Sequence, residues 1–144
     1  MGTGLHETAS ARLRATRQRY TRAREALVDA LAGARQPLTI TELLAAQPRA
    51  AQSSVYRNLA VLETAGVVGR VQGEDEFARF ELAEDLTEHH HHLLCEGCGQ
   101  VLDYTPPAAL ERAVVKAIAE VSDLTGFRPR SHRLDLVGHC SRCA

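Results

Sequence analysis

Apolar positions in the first quarter of the chain recur every three to four residues. Leu13, Ala23, Ala26, Leu27, Ala30 and Leu31 keep this spacing and predict helix over 11–34, with Thr21 as an N-cap partway along and Gly33 and Pro37 as breakers. Thr39 or Thr41 opens a short helix from Ile40 to Gln47, stopped by Pro48. A third segment, Ser53 to Ala65, opens at Gln52-Ser53, puts Val55, Leu59 and Leu62 on one face and closes at Gly66. The period then drops to two. VVGRV and FARFEL flank the polar QGEDE, which reads as a β-hairpin. Three helices followed by a hairpin outline a winged helix-turn-helix, whose last helix enters the DNA major groove.

The pattern changes again after Leu82. Residues 83–92, AEDLTEHHHH, read as a hinge running into a strand, HLLCEGCG leads into the alternating QVLDY, and Pro106-Pro107 start a helix ending at Thr125-Gly126. Leu110, Val114, Val115, Ile118 and Val121 are its expected inward face. In the closing HRLDLVGHC, His132, Leu134, Leu136 and Gly138 fall on one strand face and Arg133, Asp135, Val137 and His139 on the other. The fold class is therefore α+β: a winged helix over 1–83, a hinge over 84–88 and an α/β unit over 89–144. With 144 residues and 44% apolar content, two small cores are affordable.

Net charge is −1 overall, yet its distribution is uneven. Residues 1–70 hold ten arginines against five acids, a net +5, whereas residues 71–144 hold seven basic and thirteen acidic side chains, a net −6. A basic first half fits a nucleic-acid partner. In the predicted recognition helix, SSVYRNL, the side chains of Ser53, Ser54, Tyr56 and Arg57 suit phosphates and base edges, and Arg19 and Arg24 can add phosphate contacts. An ordinary amphipathic helix with a polar outer face is the simpler alternative. No run of about 18 apolar residues exists and the N-terminus has no apolar secretion core, so a cytoplasmic protein without a membrane span is expected.

All four cysteines lie in the second half as two CxxC pairs, Cys95/Cys98 and Cys140/Cys143. Each pair can place two thiolates on one tetrahedral ion, and Gly97 and Gly99 ease the tight turn. One structural Zn(II) site is the expectation; a redox pair is the alternative, without a thioredoxin-like context to support it. The internal run His89–His92 is neither terminal nor six residues long, unlike an expression tag. In extended chain, His89 and His91 face one way and His90 and His92 the other, so one run can supply half of two metal sites. Glu111, His132, Glu81 and Asp103 are acceptable completing ligands from flanking elements. An exposed polar strand with adventitious metal affinity is the alternative.

SSVYRNLAVLETAGVV, RFELAEDLTEHHHHLLCEGCGQVLDY and SHRLDLVGHCSRC together resemble three ordered motifs of the ferric uptake regulator superfamily of bacterial metal-dependent repressors, over about residues 12–143. The resemblance implies a homodimer reading a palindromic double-stranded DNA operator, with Tyr56 and Arg57 in contact with DNA. It implies structural Zn(II) on Cys95, Cys98, Cys140 and Cys143, and a dimerisation-domain site on His89, His91, Glu111 and His132. It implies a regulatory hinge site on Glu81, His90, His92 and Asp103 for Fe(II), Zn(II) or Mn(II), and no enzymatic activity. Two departures stand out. Pro37 stands near the place of the histidine by which iron- and peroxide-type members tie the winged helix to the hinge metal, so the site either has lower coordination or takes a substitute, with His6, Glu84, Asp85 and Glu88 as candidates. Gly69 and Ala83 replace the Asp and Cys of zinc-type members. Peroxide-type members have Asp where Glu81 stands, so a metal-responsive repressor is the leading expectation, a peroxide-responsive one an alternative. A zinc hydrolase lacks its HExxH motif here; a metal store or interaction module without specific DNA binding is the remaining rival.

Overall fold

The computed structural model describes residues 2–144, with side chains from residue 4 onward. Its first half holds four helices, α1 (Gly2–Ala15), α2 (Arg22–Gly33), α3 (Ile40–Ala46) and α4 (Gln52–Thr64). They pack on a small sheet of β1 (Leu38–Thr39), β2 (Val68–Gln72) and β3 (Ala78–Leu82). The sheet order is β1-β3-β2, antiparallel throughout, with Arg70 opposite Phe80 and Gly69 opposite Glu81. Leu13, Leu27, Val28, Leu43, Leu59 and Leu62 are essentially buried, and Phe80 and Leu82 close this core from β3. The expected hairpin and recognition helix are present, within a residue or two of their expected bounds.

The helix expected over 11–34 is two helices. The backbone turns at Arg17, which takes a left-handed φ of 59°, while the amides of Thr16 and Gln18 both reach the carbonyl of Leu13. No Gly or Pro marks this break; an arginine fills the position that glycine usually takes at a helix end. Thr21 then caps α2, as expected, by accepting from the Arg24 amide. Thr39 caps α3 in a reciprocal box with Glu42, a device that stabilises a helix start by about 1 kcal/mol. Helix α4 differs: its N-cap is Ala51, which offers no side-chain acceptor, so the first-turn amides stay unbonded by a cap.

The second half begins with a single 3-10 turn, Glu84–Leu86. A second sheet follows, of β4 (His91–Cys95), β5 (Val101–Tyr104) and β6 (Asp135–Gly138), with α5 (Ala108–Thr125) between the last two strands. Its order is β5-β4-β6; β5 runs antiparallel to β4 and β6 parallel to it. The last strand is shorter than the sequence pattern implied, because His132–Leu134 lie outside the ladder. Helix α5 shelters only part of its expected inward face, Val114 and Ile118. Glu111, Val114, Ile118 and Ser122 are the sheltered positions, whereas Leu110, Val115 and Val121 are exposed. On the sheltered side the Glu111 carboxylate meets three histidines, and part of the apolar stripe is left on the outside of the single chain. Among the described residues, no helix is long and apolar enough to cross a membrane.

Candidate metal centres

Strand β4 presents ligand side chains to both sides. On the side facing β3, the Nε2 atoms of His90 and His92 converge on Glu81 Oε2 at 3.0 and 3.1 Å. Asp103, directly opposite His92 in the ladder, places Oδ1 3.7 Å from both nitrogens. That oxygen is buried and has no hydrogen-bond partner. His90 Nδ1 lies 2.9 Å from the carbonyl oxygen of Glu88, to which it donates. In the neutral ring this leaves the Nε2 lone pair directed at the carboxylates; in the protonated ring Nε2 donates to Glu81. Lone pairs converging on one point repel unless a proton or a cation lies between them, and the four donors are suited to a divalent ion. Burial opposes it, but hydrogen bonds from His92 and His90 hold the Glu81 carboxyl below its usual range. Burial pushes the Asp103 carboxyl up.

On the opposite side, Glu111 reaches three rings. Its Oε1 lies 2.5 Å from His132 Nε2 and 2.9 Å from His89 Nε2, and its Oε2 lies 3.0 Å from His91 Nε2. The His89 and His132 nitrogens are buried yet satisfy no hydrogen-bond geometry, so they approach the carboxylate without bonding to it. That is the arrangement expected of ligands around a shared cation. His89 is oriented by Glu84, whose Oε1 is 2.6 Å from Nδ1. The His91 hydrogen bond holds the Glu111 carboxyl below its usual range.

The third cluster joins Cys95, Cys98, Cys140 and Cys143, none of them disulfide-bonded, with all four sulfurs within 4.8 Å of one another. Cys98 and Cys140 are 3.8 Å apart. That is the edge of a tetrahedron with metal–sulfur bonds of about 2.3 Å. The amide of Cys140 donates to Cys95 Sγ at 3.3 Å and draws that thiol down to about 6, while its neighbours' sulfurs push Cys143 up to about 12. Four thiolates cannot share this volume without a compensating cation, and zinc suits the set.

The structure also sorts the proposed substitutes for the missing hinge ligand. His6 bonds Tyr20 and Asp29, Glu84 orients His89, and Asp85 pairs with Arg12. Glu88 serves through its backbone carbonyl. None of their side chains joins the hinge cluster, which holds four ligands, all from strands or the approach to β4. Gly69 sits across the ladder from Glu81 with open space above it.

On the recognition helix, Tyr56 is 51% exposed, Ser53 and Arg57 are exposed, and Arg57 lies 3.5 Å from Ser54 Oγ. Arg19 is exposed as well. Arg24 is tied inward: its Nε donates to the buried Asn58 at 3.0 Å and its Nη1 to the Arg19 carbonyl at 2.6 Å. It braces α4 against α2. Sequence reasoning did not find this brace, nor the orienting role of Glu84. Both rest on side-chain contacts between positions that share no helix or strand period, and no periodic signal announces them.

A winged helix, two imidazole–carboxylate ligand sets and a thiolate cluster together point to a metal-responsive DNA-binding regulator. The chain matches the model of the ferric uptake regulator family over residues 15–137 and belongs to that family. It is 30% identical over 136 residues to the peroxide operon regulator of Bacillus subtilis, an alignment covering 92% of this chain and 88% of that protein. Its fold matches the ferric uptake regulators of Vibrio cholerae (26% identity, TM-score 0.70, 89% of this chain and 96% of that one) and Helicobacter pylori (21%, 0.77, 99% and 93%).

Proposed function

We propose that this chain is a cytoplasmic, non-enzymatic transcriptional repressor that binds a palindromic operator as a homodimer when the hinge site holds a divalent metal. Residues 1–83 form the DNA-binding part, 84–88 the hinge and 89–144 the dimerisation part. Cys95, Cys98, Cys140 and Cys143 hold structural Zn(II), and His89, His91, Glu111 and His132 hold a second ion within the dimerisation part. Glu81, His90, His92 and Asp103 hold the regulatory ion, Fe(II), Zn(II) or Mn(II).

One observation carries the reading: Glu81 belongs to the wing strand β3, and its three co-ligands lie in the second half, His92 on β4, Asp103 on β5 and His90 just before β4. Coordination supplies attraction between the two halves. With all four donors on one ion, β3 is held against β4 and β5, and α4 keeps one orientation relative to the dimer axis. Only one separation of two recognition helices fits two half-sites. Tyr56, Arg57, Ser53 and Ser54 then meet DNA, Arg19 adds a phosphate contact, and Arg24 acts through Asn58. The exposed apolar stripe of Leu110, Val115, Val121, Leu124 and Phe127 supports a second copy as the dimer partner.

The test is retention of genomic fragments on purified protein under chelator, Zn(II), Mn(II) or anaerobic Fe(II). Retention of a few promoters under one metal is expected, and Arg57→Ala should lose it while keeping full metal content. Equal retention in all conditions would remove metal control, and no retention would leave the metal-store reading. The B. subtilis relative is a peroxide operon regulator. A peroxide arm on the Fe(II)-loaded protein therefore separates the second reading: loss of retention there, and not with Mn(II), would favour it.

A further inference from the structure

Strand β3 turns Phe80 and Leu82 into the first core and Arg79 and Glu81 the other way. Glu81 is a hinge ligand; Arg79, two residues earlier and 6% exposed, is not. Its guanidinium takes Asp75 in a two-point pair, Nη1–Oδ1 at 2.6 Å and Nη2–Oδ2 at 2.8 Å. The same Nη2 donates to the carbonyl of Gly99 at 2.6 Å. Gly99 ends the first cysteine knuckle, and its amide bonds the Cys95 carbonyl at 2.9 Å. The wing tip thus lies flush on that knuckle. A Cβ on Gly99, where φ is +76°, would stand 2.4 Å from Asp75 Oδ2. One on Gly73 would stand 3.0 Å from the buried Val101 side chain.

We propose that Arg79, clamped by Asp75, is a positioning residue for the hinge site: it docks β3 on the Gly99 carbonyl and so holds Glu81 opposite His90, His92 and Asp103 before any ion arrives. The proposal rests on the reading that those four residues hold a metal. Two attachments two residues apart on one strand, about 7 Å along it, fix both its position and its direction. A site assembled from two halves loses apparent affinity by the fraction of molecules in which the halves are apart. The clamp keeps that fraction small. It stands in for the tie that the winged helix does not supply near Pro37, and its acceptor is knuckle backbone, so the thiolate site shapes the hinge site through Gly99.

The experiment titrates full-length chain, zinc-loaded at the cysteines and otherwise metal-free, with Co(II), followed by its visible absorption. Wild type, Glu81→Gln, Arg79→Gln, Arg79→Lys and Asp75→Asn are compared. Glu81→Gln should lose one of two Co(II) equivalents. Arg79→Gln and Asp75→Asn should keep both equivalents, with the Glu81-dependent Kd raised about tenfold, as expected if nine in ten molecules open. Arg79→Lys, which keeps charge but not the two-point pair, should fall between. Asp75→Asn decides if Arg79→Gln fails to fold. If Glu81→Gln titrates like wild type, the hinge reading itself fails and the proposal with it. If Glu81→Gln loses an equivalent while the Arg79 and Asp75 variants titrate like wild type, the clamp alone is overturned. An equal fall at both Co(II) sites would also overturn it, since that is what general loosening produces.

Discussion

Among the described residues, those up to Leu82 bury a cluster of thirteen apolar side chains, whereas those beyond bury three: Leu94, Cys95 and Val101. The first half packs four helices on a sheet around that cluster. The second half spreads three strands and one helix over too little apolar volume, and fills the deficit with ligands. Two imidazole–carboxylate sets flank β4 and a thiolate set pins the last residues to the first knuckle. The difference assigns the energetics. On the proposed function, DNA-contacting geometry rests on ordinary hydrophobic packing and sensing geometry on coordination, so the second half is the one whose shape should answer to metal.

The most severe break in this contrast is loss of the thiolate site. Cys98→Ser, or exhaustive chelation, should unfold the second half and abolish metal uptake at both histidine sets while the first half keeps its helical signal. Hydrogen exchange resolved by segment would show protection lost beyond His89 and kept in α2 and α4. Uniform loss over both halves would mean that the first core does not stand alone.

The mirror-image change acts on packing. Leu62→Ala removes a fully buried side chain from α4 and should cost about 2–5 kcal/mol, the usual range for such truncations. Denaturant unfolding should shift accordingly, with zinc content at the cysteines unchanged. Zinc loss in parallel would merge the two halves into one cooperative unit.

Within the second half the same contrast recurs across one strand. Glu81→Gln and Glu111→Gln each remove the carboxylate that anchors a histidine set, but only Glu81 belongs to the first half. Glu81→Gln should erase the metal dependence of operator affinity, a coupling of about 5–150-fold. Glu111→Gln should leave that dependence largely in place and lower the metal stoichiometry. Fluorescence anisotropy with and without metal measures both. If Glu111→Gln erases the response as well, the two faces of β4 are one regulatory unit.

Much of this site was readable as pattern. Alternation alone separates His89 and His91 from His90 and His92, because a strand turns successive side chains to opposite faces. The CxxC pairs carry their own geometry. Other features depend on meetings that no local pattern encodes. Arg17 breaks the first helical segment without a glycine or proline. The two-residue strand β1 exists because β3 offers it an edge. Of the apolar face of α5, Val114 and Ile118 are sheltered while Leu110, Val115 and Val121 are exposed, and Glu111 takes a sheltered place among three histidines that apolar periodicity does not announce. The Arg79–Asp75–Gly99 contact joins positions twenty residues apart, and its charged members look like any solvated wing residues.

That contact gives the smallest expected effect and the finest test of how far the two halves hold together without metal. The Arg79 side-chain hydrogen bond holds the Asp75 carboxyl below its usual range against a modest cost of burial. A carboxyl with a lower value in the folded than in the unfolded chain stabilises the fold above its unfolded value, near pH 4, and loses that contribution as pH falls through the folded value. The pair is partly solvated, so the contribution is modest. Wild type should therefore melt slightly above Asp75→Asn at pH 6, and the gap should narrow as pH drops below about 4. Comparing the two proteins cancels the acid sensitivity of the thiolate and histidine sites, which both share. A gap that stays constant with pH would mean that Asp75 acts through the wing turn, where it also accepts from the Phe77 amide, and not through its charge on Arg79.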